Sequence, residues 1–201
     1  MDKFCIILLA AGKSERFGSP KQLLKFNGKT LIEHVAETAA STGFPVVTVL
    51  GANAEEIMRR LNHENVEVVI NFCWKHGMSS SIVCGLTHIL QHKPNLEAVI
   101  ILLADQPLVT KHTIKKLSSA YRKTQKSVVG AHYGNSMGVP AIFSHAMFDA
   151  LLQLKGKHGA KTLINSLPAN CLHSVELPEV LFDIDTVEDF KALQMKLNSN
   201  A

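Results

Sequence analysis

An α/β protein with a largely parallel sheet is what this 201-residue sequence predicts, on three observations. Short apolar runs alternate with amphipathic helical patterns from one end to the other, as in sheets whose strands are joined by helices. Two of the runs, Phe4-Cys5-Ile6-Ile7-Leu8-Leu9 and Ala98–Leu103, are continuously apolar, as strands buried on both faces are. With 46% hydrophobic and 19% charged residues there is material for one sizeable core. No repeat, low-complexity tract or long linker divides the chain, so residues 1–201 are read as a single domain.

After the first strand the chain breaks into Ala10-Ala11-Gly12. Leu31, Ile32, Val35, Ala36, Ala39 and Ala40 then have helical spacing, stopping near Gly43, and Val46–Leu50 reads as the second strand. Asn53 ahead of Glu55 and Glu56 is a helix start, a polar cap with anions in the first turn. Val66–Ile70 is the third strand. Residues 71–78 form a loop into Ser79-Ser80-Ser81 and a helix with Ile82, Leu86, Ile89 and Leu90 inward. The fourth strand, Ala98–Leu103, ends in Ala104-Asp105-Gln106-Pro107, and an amphipathic helix over Lys111–Thr124 is basic outside. Residues 127–131 and 139–143 read as strands around the turn-rich His132-Tyr133-Gly134-Asn135-Ser136. A short helix at 145–154, a glycine-flanked basic loop at 155–161 and a helix reaching Ser166 follow. Residues 172–177 form an edge strand closed by Pro178. Residues 181–184 are a further strand, and Thr186 with Asp189 caps the last helix.

Bulk properties exclude several function classes. The net charge is +4, with basic residues scattered among acidic ones, and one Trp and two Tyr cannot build a base-stacking platform, so no nucleic-acid partner is expected. No apolar run approaches membrane-spanning length, and no signal peptide is expected. Cys5, Cys73, Cys84 and Cys171 are far apart and lack C-x-x-C spacing, which fits a reduced, cytoplasmic setting.

The chemistry concentrates after the first strand. Small residues at a strand's C-terminal end, then Lys13, Arg16 and Lys21 in a loop, are the arrangement a polyphosphate needs. Backbone amides form an anion-binding concavity, Arg supplies paired donors and Lys a point charge. Asp105 follows a buried strand at the sheet edge where open α/β proteins bind ligands, and a carboxylate there can hold Mg²⁺ against phosphate oxygens; the alternative is a turn cap. Asp185 is the second candidate ligand, against the alternative of an acid stabilised by the following helix's dipole, and Asp183 is a spare. In the loop at 71–78, Asn71 offers amide hydrogen bonds, and Gly77, Met78, Ser79 and Ser80 put flexible backbone and hydroxyls at a helix start. Equally, Ser79 is a cap and Trp74 a lid over the core. A P-loop fails because Ile7 stands where its first glycine belongs. Cys84, His88 and His92 form an i, i+4, i+8 row read as a solvated face, and no G-x-S-x-G elbow is present.

Five stretches in matching order, LAAGKSERFGSPKQLL (Leu9 to Leu24), GMSSSI (Gly77 to Ile82), LLADQPLV (Leu102 to Val109), GVPAIF (Gly138 to Phe143) and DIDTVEDF (Asp183 to Phe190), resemble the molybdenum cofactor nucleotidyltransferases, most closely the cytidylyltransferase branch. The resemblance implies a three-layer Rossmann-like sandwich with a mostly parallel sheet and one antiparallel strand. It implies that Ala10, Ala11 and Gly12 contact the nucleotide, Arg16 and Lys21 its phosphates, and Asn71 with Gly77, Met78, Ser79 and Ser80 its base and ribose. Asp105 and Asp185 would ligate Mg²⁺. Members that transfer GMP tend to carry two glycines where this chain has Ala11-Gly12, which favours CTP. The implied reaction is attack of the molybdopterin phosphate on the α-phosphorus of CTP with release of pyrophosphate, the product passing to a molybdoenzyme. Alternatives are GTP as the nucleotide, a sugar or polyol phosphate as acceptor, an NTP-hydrolysing switch, or a non-catalytic cofactor carrier.

Overall fold

The computed structural model describes residues 3–61, 63–134 and 136–198. In chain order its strands are β1 (Phe4–Ala10), the short pair β2 (Lys25–Phe26) and β3 (Lys29–Thr30), β4 (Val46–Leu50), β5 (Val66–Ile70), β6 (Ala98–Leu103), β7 (Val128–Tyr133), β8 (Ser136–Ser144) and β9 (Leu172–Val175). The α-helices are α1 (Leu31–Ala40), α2 (Ala54–Met58), α3 (Met78–His92), α4 (Lys111–Thr124), α5 (Phe148–Leu152), α6 (Ala160–Ser166) and α7 (Val187–Asn198). Apart from the β2–β3 hairpin, the strands form one seven-stranded sheet in the order β5-β4-β1-β6-β8-β7-β9. β8 runs antiparallel to both its neighbours, and every other pairing in that sheet is parallel. The expected three-layer, mostly parallel sandwich with one reversed strand is therefore the fold.

β1 explains the layers. All seven of its residues are buried, so the run carries no polar alternation. Successive side chains nevertheless go to opposite faces. Phe4, Ile6, Leu8 and Ala10 join Ile32 and Val35 of α1 and Ile114 and Leu117 of α4. Cys5, Ile7 and Leu9 join Ile82, Leu86 and Ile89 of α3 and Leu151 of α5. A third, smaller cluster joins Phe26, Leu31, Ile184 and Leu193, with Phe17, Phe182 and Phe190 against them. That cluster fastens the C-terminal segment onto the chain after β1, which brings Asp185 to the loop carrying Arg16 and Lys21.

Several expectations change. Residues 181–184 are not a strand: a single 3₁₀ turn covers Pro178–Leu181, and the chain then runs extended outside the sheet. The apolar pattern there comes from Phe182 and Ile184 packing into the third cluster, not from sheet burial. The edge strand stops at Val175, short of the expected 177. The β7–β8 hairpin is longer than expected because the strands continue into the presumed turn; Asn135 lies outside the described residues. The helix expected at 145–154 is a 3₁₀ turn, His145–Met147, followed by α5. Asn53 precedes α2 in a left-handed conformation (φ 57°), and its side chain makes no capping bond. The β2–β3 hairpin was not among the expected elements; its two-residue turn is Asn27-Gly28, both at positive φ. The Thr186–Asp189 box forms as expected: Asp189 Oδ2 accepts from Thr186 N at 2.7 Å, and Thr186 Oγ1 accepts from Asp189 N at 3.2 Å.

Candidate active site

The loop after β1 is folded on itself and held from below. Ser14 adopts a left-handed conformation (φ 60°), and its carbonyl accepts from Phe17 N at 3.0 Å and Gly18 N at 3.2 Å. Gln22, 3% exposed, spans the loop's base: its Nε2 donates to Ala10 O at 3.1 Å and Gly12 O at 2.9 Å, and its Oε1 accepts from Ser14 Oγ at 3.3 Å. One buried amide thus fixes both ends of the segment a phosphate would approach. Sequence reasoning missed Gln22, because no local pattern marks a polar side chain that will fold under its own loop.

At the loop's far end Lys21 turns back over the sheet. Its Nζ donates to Asp105 Oδ2 at 2.7 Å, to Ile184 O at 2.8 Å and to Asp185 Oδ1 at 3.1 Å. Arg16 reaches the other oxygen of Asp185, Nη2 to Oδ2 at 2.8 Å. Burial alone would push the Lys21 pKa down; Asp105, by charge and hydrogen bond, and then Asp185 outweigh it and raise the ammonium above its ordinary value. Asp105 Oδ1 is buried without a partner among the described residues. Two carboxylates facing one cation, one with a spare oxygen, fit a hard divalent ion. Among the described residues no three His, Cys, Asp or Glu side chains cluster to hold a metal unaided. Such an ion would complete its shell with water and phosphate oxygens.

The segment before α3 forms the opposite wall. Gly77 has φ 100°, and a Cβ there would lie 2.7 Å from both Gly156 O and Lys157 Cα, so only glycine lets the loop at 155–161 dock. That loop had no assigned role from sequence; the structure brings its Lys157 to the cleft. Asn71 is 4% exposed and fully engaged: Nδ2 donates to Ser80 Oγ at 2.8 Å and Ser81 Oγ at 3.0 Å, and Oδ1 accepts from Cys73 N at 2.9 Å. Ser80 Oγ donates on to Gly77 O, and Ser79 is buried.

A cleft of about 680 Å³ opens between these walls. Ala10, Ala11, Gly12, Arg16, Lys21, Asp105, Asp185, Gly77 and Met78 all line it; Asn71, Ser79 and Ser80 sit behind its wall rather than in it. Gln22, Trp74, Lys75, Ser81 and Lys157 line it too. The Cys84, His88 and His92 row lies away from the cleft, with His88 engaged by Glu67 at 2.7 Å.

A doubly wound sheet with a cationic βα loop facing a strand-end carboxylate defines a nucleotidyltransferase type of α/β protein. The chain belongs to the MobA-like NTP transferase domain family, whose model matches residues 6–171. Nicotine blue oxidoreductase of Paenarthrobacter nicotinovorans is 39% identical over 120 residues, which span 58% of this chain and only 56% of that protein. A protein named "Probable molybdenum cofactor guanylyltransferase" of Aquifex aeolicus is 29% identical over 92% of this chain and 88% of its own. Rv0371c of Mycobacterium tuberculosis superposes with a TM-score of 0.84 at 25% identity, covering 96% of this chain and 97% of that one. Its manganese complex superposes at 0.78 and 24% identity, covering 95% and 97%. No helix among the described residues is long and apolar enough to cross a membrane.

Proposed function

We propose that this protein transfers a nucleotidyl group, CMP from CTP, to the phosphate of molybdopterin, releasing pyrophosphate in the cytoplasm, with a molybdoenzyme receiving the product. The observation that carries the reading is the Lys21 ammonium held between Asp105 and Asp185 at the mouth of a glycine-containing loop. A phosphate nucleophile is already ionised at neutral pH, so alignment and charge neutralisation supply the catalysis, and no general base is required. The backbone of residues 10–12 cradles the triphosphate, and Arg16 and Lys21 neutralise it as charge moves to the departing pyrophosphate. Asp105 and Asp185 would hold Mg²⁺, which supplies Lewis-acid neutralisation when bound.

CTP is favoured by the resemblance, in which members that transfer GMP tend to carry two glycines where this chain has Ala11-Gly12. GTP is the second reading, favoured by the guanylyltransferase name of the Aquifex relative. A matrix of CTP, GTP, ATP and UTP against molybdopterin, scored by pyrophosphate release, tests both. Release with CTP is the expected result. Release only with GTP moves the assignment to guanylyl transfer, and hydrolysis without acceptor overturns the transferase reading.

A further inference from the structure

Asp105 and Asp185 reach the cleft from segments that are held in different ways. Asp105 stands two residues past the end of β6, and Ala104 N before it still donates to Leu9 O at 3.0 Å, so the sheet sets its place. Residues 182–185 run extended outside the sheet, anchored by Phe182 and Ile184 in the third cluster. Three ties join the two segments. Ile184 N donates to Asp105 O at 2.9 Å. Lys21 Nζ bridges Asp105 Oδ2, Ile184 O and Asp185 Oδ1. Gln106 Nε2 donates to Asp183 Oδ1 at 2.9 Å.

Gln106 is 1% exposed, and its Nε2 also meets Tyr133 Oη at 3.0 Å and Val139 O at 3.3 Å, which pins the amide on β7 and β8. Turning it over would set its oxygen against a carboxylate and a carbonyl, both acceptors, so the network fixes which end faces Asp183. A neutral donor suits this place. It satisfies the acid without adding a cation that would weaken the field of the carboxylates nearby.

Asp183 is the spare candidate ligand of the sequence, yet the fold sets it apart from the other two acids. It lines a separate cavity of about 270 Å³ together with Gln106, while Asp105 and Asp185 line the cleft. Among the described residues the three acids do not form a metal-holding cluster.

We propose that Gln106 and Asp183 are positioning residues, whose hydrogen bond sets the separation of the Asp105 and Asp185 carboxylates when a divalent ion takes the place of the Lys21 ammonium between them. The proposal rests on the reading of Asp105 and Asp185 as the ion's ligands. Two carboxylates at one site repel each other, and the Lys21 bridge is given up when the ammonium turns to a nucleotide's phosphates. The bond from Ile184 N to Asp105 O then remains, but a single bond is a pivot. The Gln106–Asp183 bond is a second fixed point that stops the extended segment from turning about the first. Partners that orient metal ligands in this way are worth about 10–100-fold in metal affinity.

The test measures Mn²⁺ affinity by calorimetry on the full chain saturated with a non-hydrolysable analogue of CTP or, should the wild type not bind that, of GTP. The affinity for the analogue alone is measured in EDTA. Gln106→Leu and Asp183→Ala both remove the tie, and each is expected to bind Mn²⁺ about tenfold more weakly. Their metal-free affinity for the analogue is expected to be unchanged, since neither residue lines the cleft. Asp183→Asn keeps an oxygen to accept from Gln106, so it is expected to stay within about threefold of the wild type, the effect of one exposed charge. Asp183 is exposed, so its two variants carry the test should Gln106→Leu fail to fold. Wild-type Mn²⁺ affinity in Asp183→Ala overturns the proposal and leaves the proposed function standing. A loss in Asp183→Asn as large as in Asp183→Ala makes Asp183 a ligand, and a matching fall in metal-free affinity makes the tie merely structural; either result overturns it. Absence of Mn²⁺ binding by the wild type with the analogue bound overturns both the proposal and the ligand roles of Asp105 and Asp185.

Discussion

Lys21 Nζ and Asp105 Oδ2 lie 2.7 Å apart although 84 residues separate them in the chain. The lysine comes from the loop after β1 and the carboxylate from the end of β6, so the pair ties two neighbouring parallel strands together at the rim where ligands bind. The ammonium is only partly exposed, with 14% of its side-chain surface accessible, and it faces the cleft. Lys21→Ala should lower kcat by about 10²–10³, the order lost when one donor to a developing oxyanion is removed. Pyrophosphate release under saturating nucleotide measures it; unimpaired turnover would remove Lys21 from the chemistry.

Gln22 holds the loop after β1 from beneath, through Ala10 O and Gly12 O. Gln22→Leu keeps the bulk but strips the donors from Ala10 O and Gly12 O. The expected cost is about 1–3 kcal/mol of stability, from carbonyls left unpaired beneath the loop. Nucleotide affinity should fall at the same time, because the loop loses its preset shape. Urea unfolding and a nucleotide titration check the two effects, and a destabilised variant with unchanged nucleotide affinity would show that the loop's shape does not depend on Gln22.

The contrast between Lys21 and Gln22 shows what the sequence could and could not reveal. Lys21 and Asp105 were legible because the apolar run before each marks a buried strand, and strand ends in such sheets converge on one rim. Gln22 and Gln106 were not, since their roles depend on backbone atoms that only the folded loops bring near. Asn71 shows the same limit: a polar residue at a strand end looks available, yet in the fold it already makes three hydrogen bonds, to Ser80, Ser81 and Cys73. Residues 181–184 looked like a strand because packing against Phe26 and Leu31 demands the same apolar spacing that a sheet face does. Asp185 lines the cleft despite that error, because its position depends on the cluster and not on the sheet.

Alkaline pH should dissect the ionic contact. The folded chain holds the Lys21 proton more tightly than the unfolded chain, in which the ordinary value of 10.5 applies. Its stabilisation is therefore fully present below about pH 10.5 and lost as the pH climbs through the higher folded value. Tyr133 acts in the same direction. Burial first, then the charge of Asp183, pushes its phenol from 10.0 up to about 12, so folding is increasingly opposed between those values. Melting temperatures from pH 8 to 12 should show the gap between wild type and Lys21→Ala closing above pH 10.5. Tyr133→Phe should flatten the remaining decline. A gap that stays constant through pH 11.5 would mean the contact with Asp105 contributes nothing to stability.

Metal binding should depend on nucleotide, because the same ammonium occupies both carboxylates. A divalent ion arriving alone meets the Lys21 ammonium on both carboxylates, and either like-charge repulsion or loss of the lysine's two carboxylate partners is costly. A nucleotide brings phosphate oxygens to which Lys21 can turn, so the lysine exchanges one set of anions for another and the carboxylates are released to the ion. Mn²⁺ titrated by calorimetry into the free chain should therefore bind weakly, and binding should tighten by at least tenfold when a non-hydrolysable CTP analogue is present. Linkage requires the analogue to bind more tightly with metal by the same factor. Chelation by EDTA should abolish pyrophosphate release, with Mg²⁺ restoring it. Lys21→Ala should bind Mn²⁺ without nucleotide more tightly than the wild type does, since Asp105 is then free and only the exposed Arg16 still competes for Asp185. Equal metal affinity with and without the analogue would show that Lys21 does not stand in the ion's way.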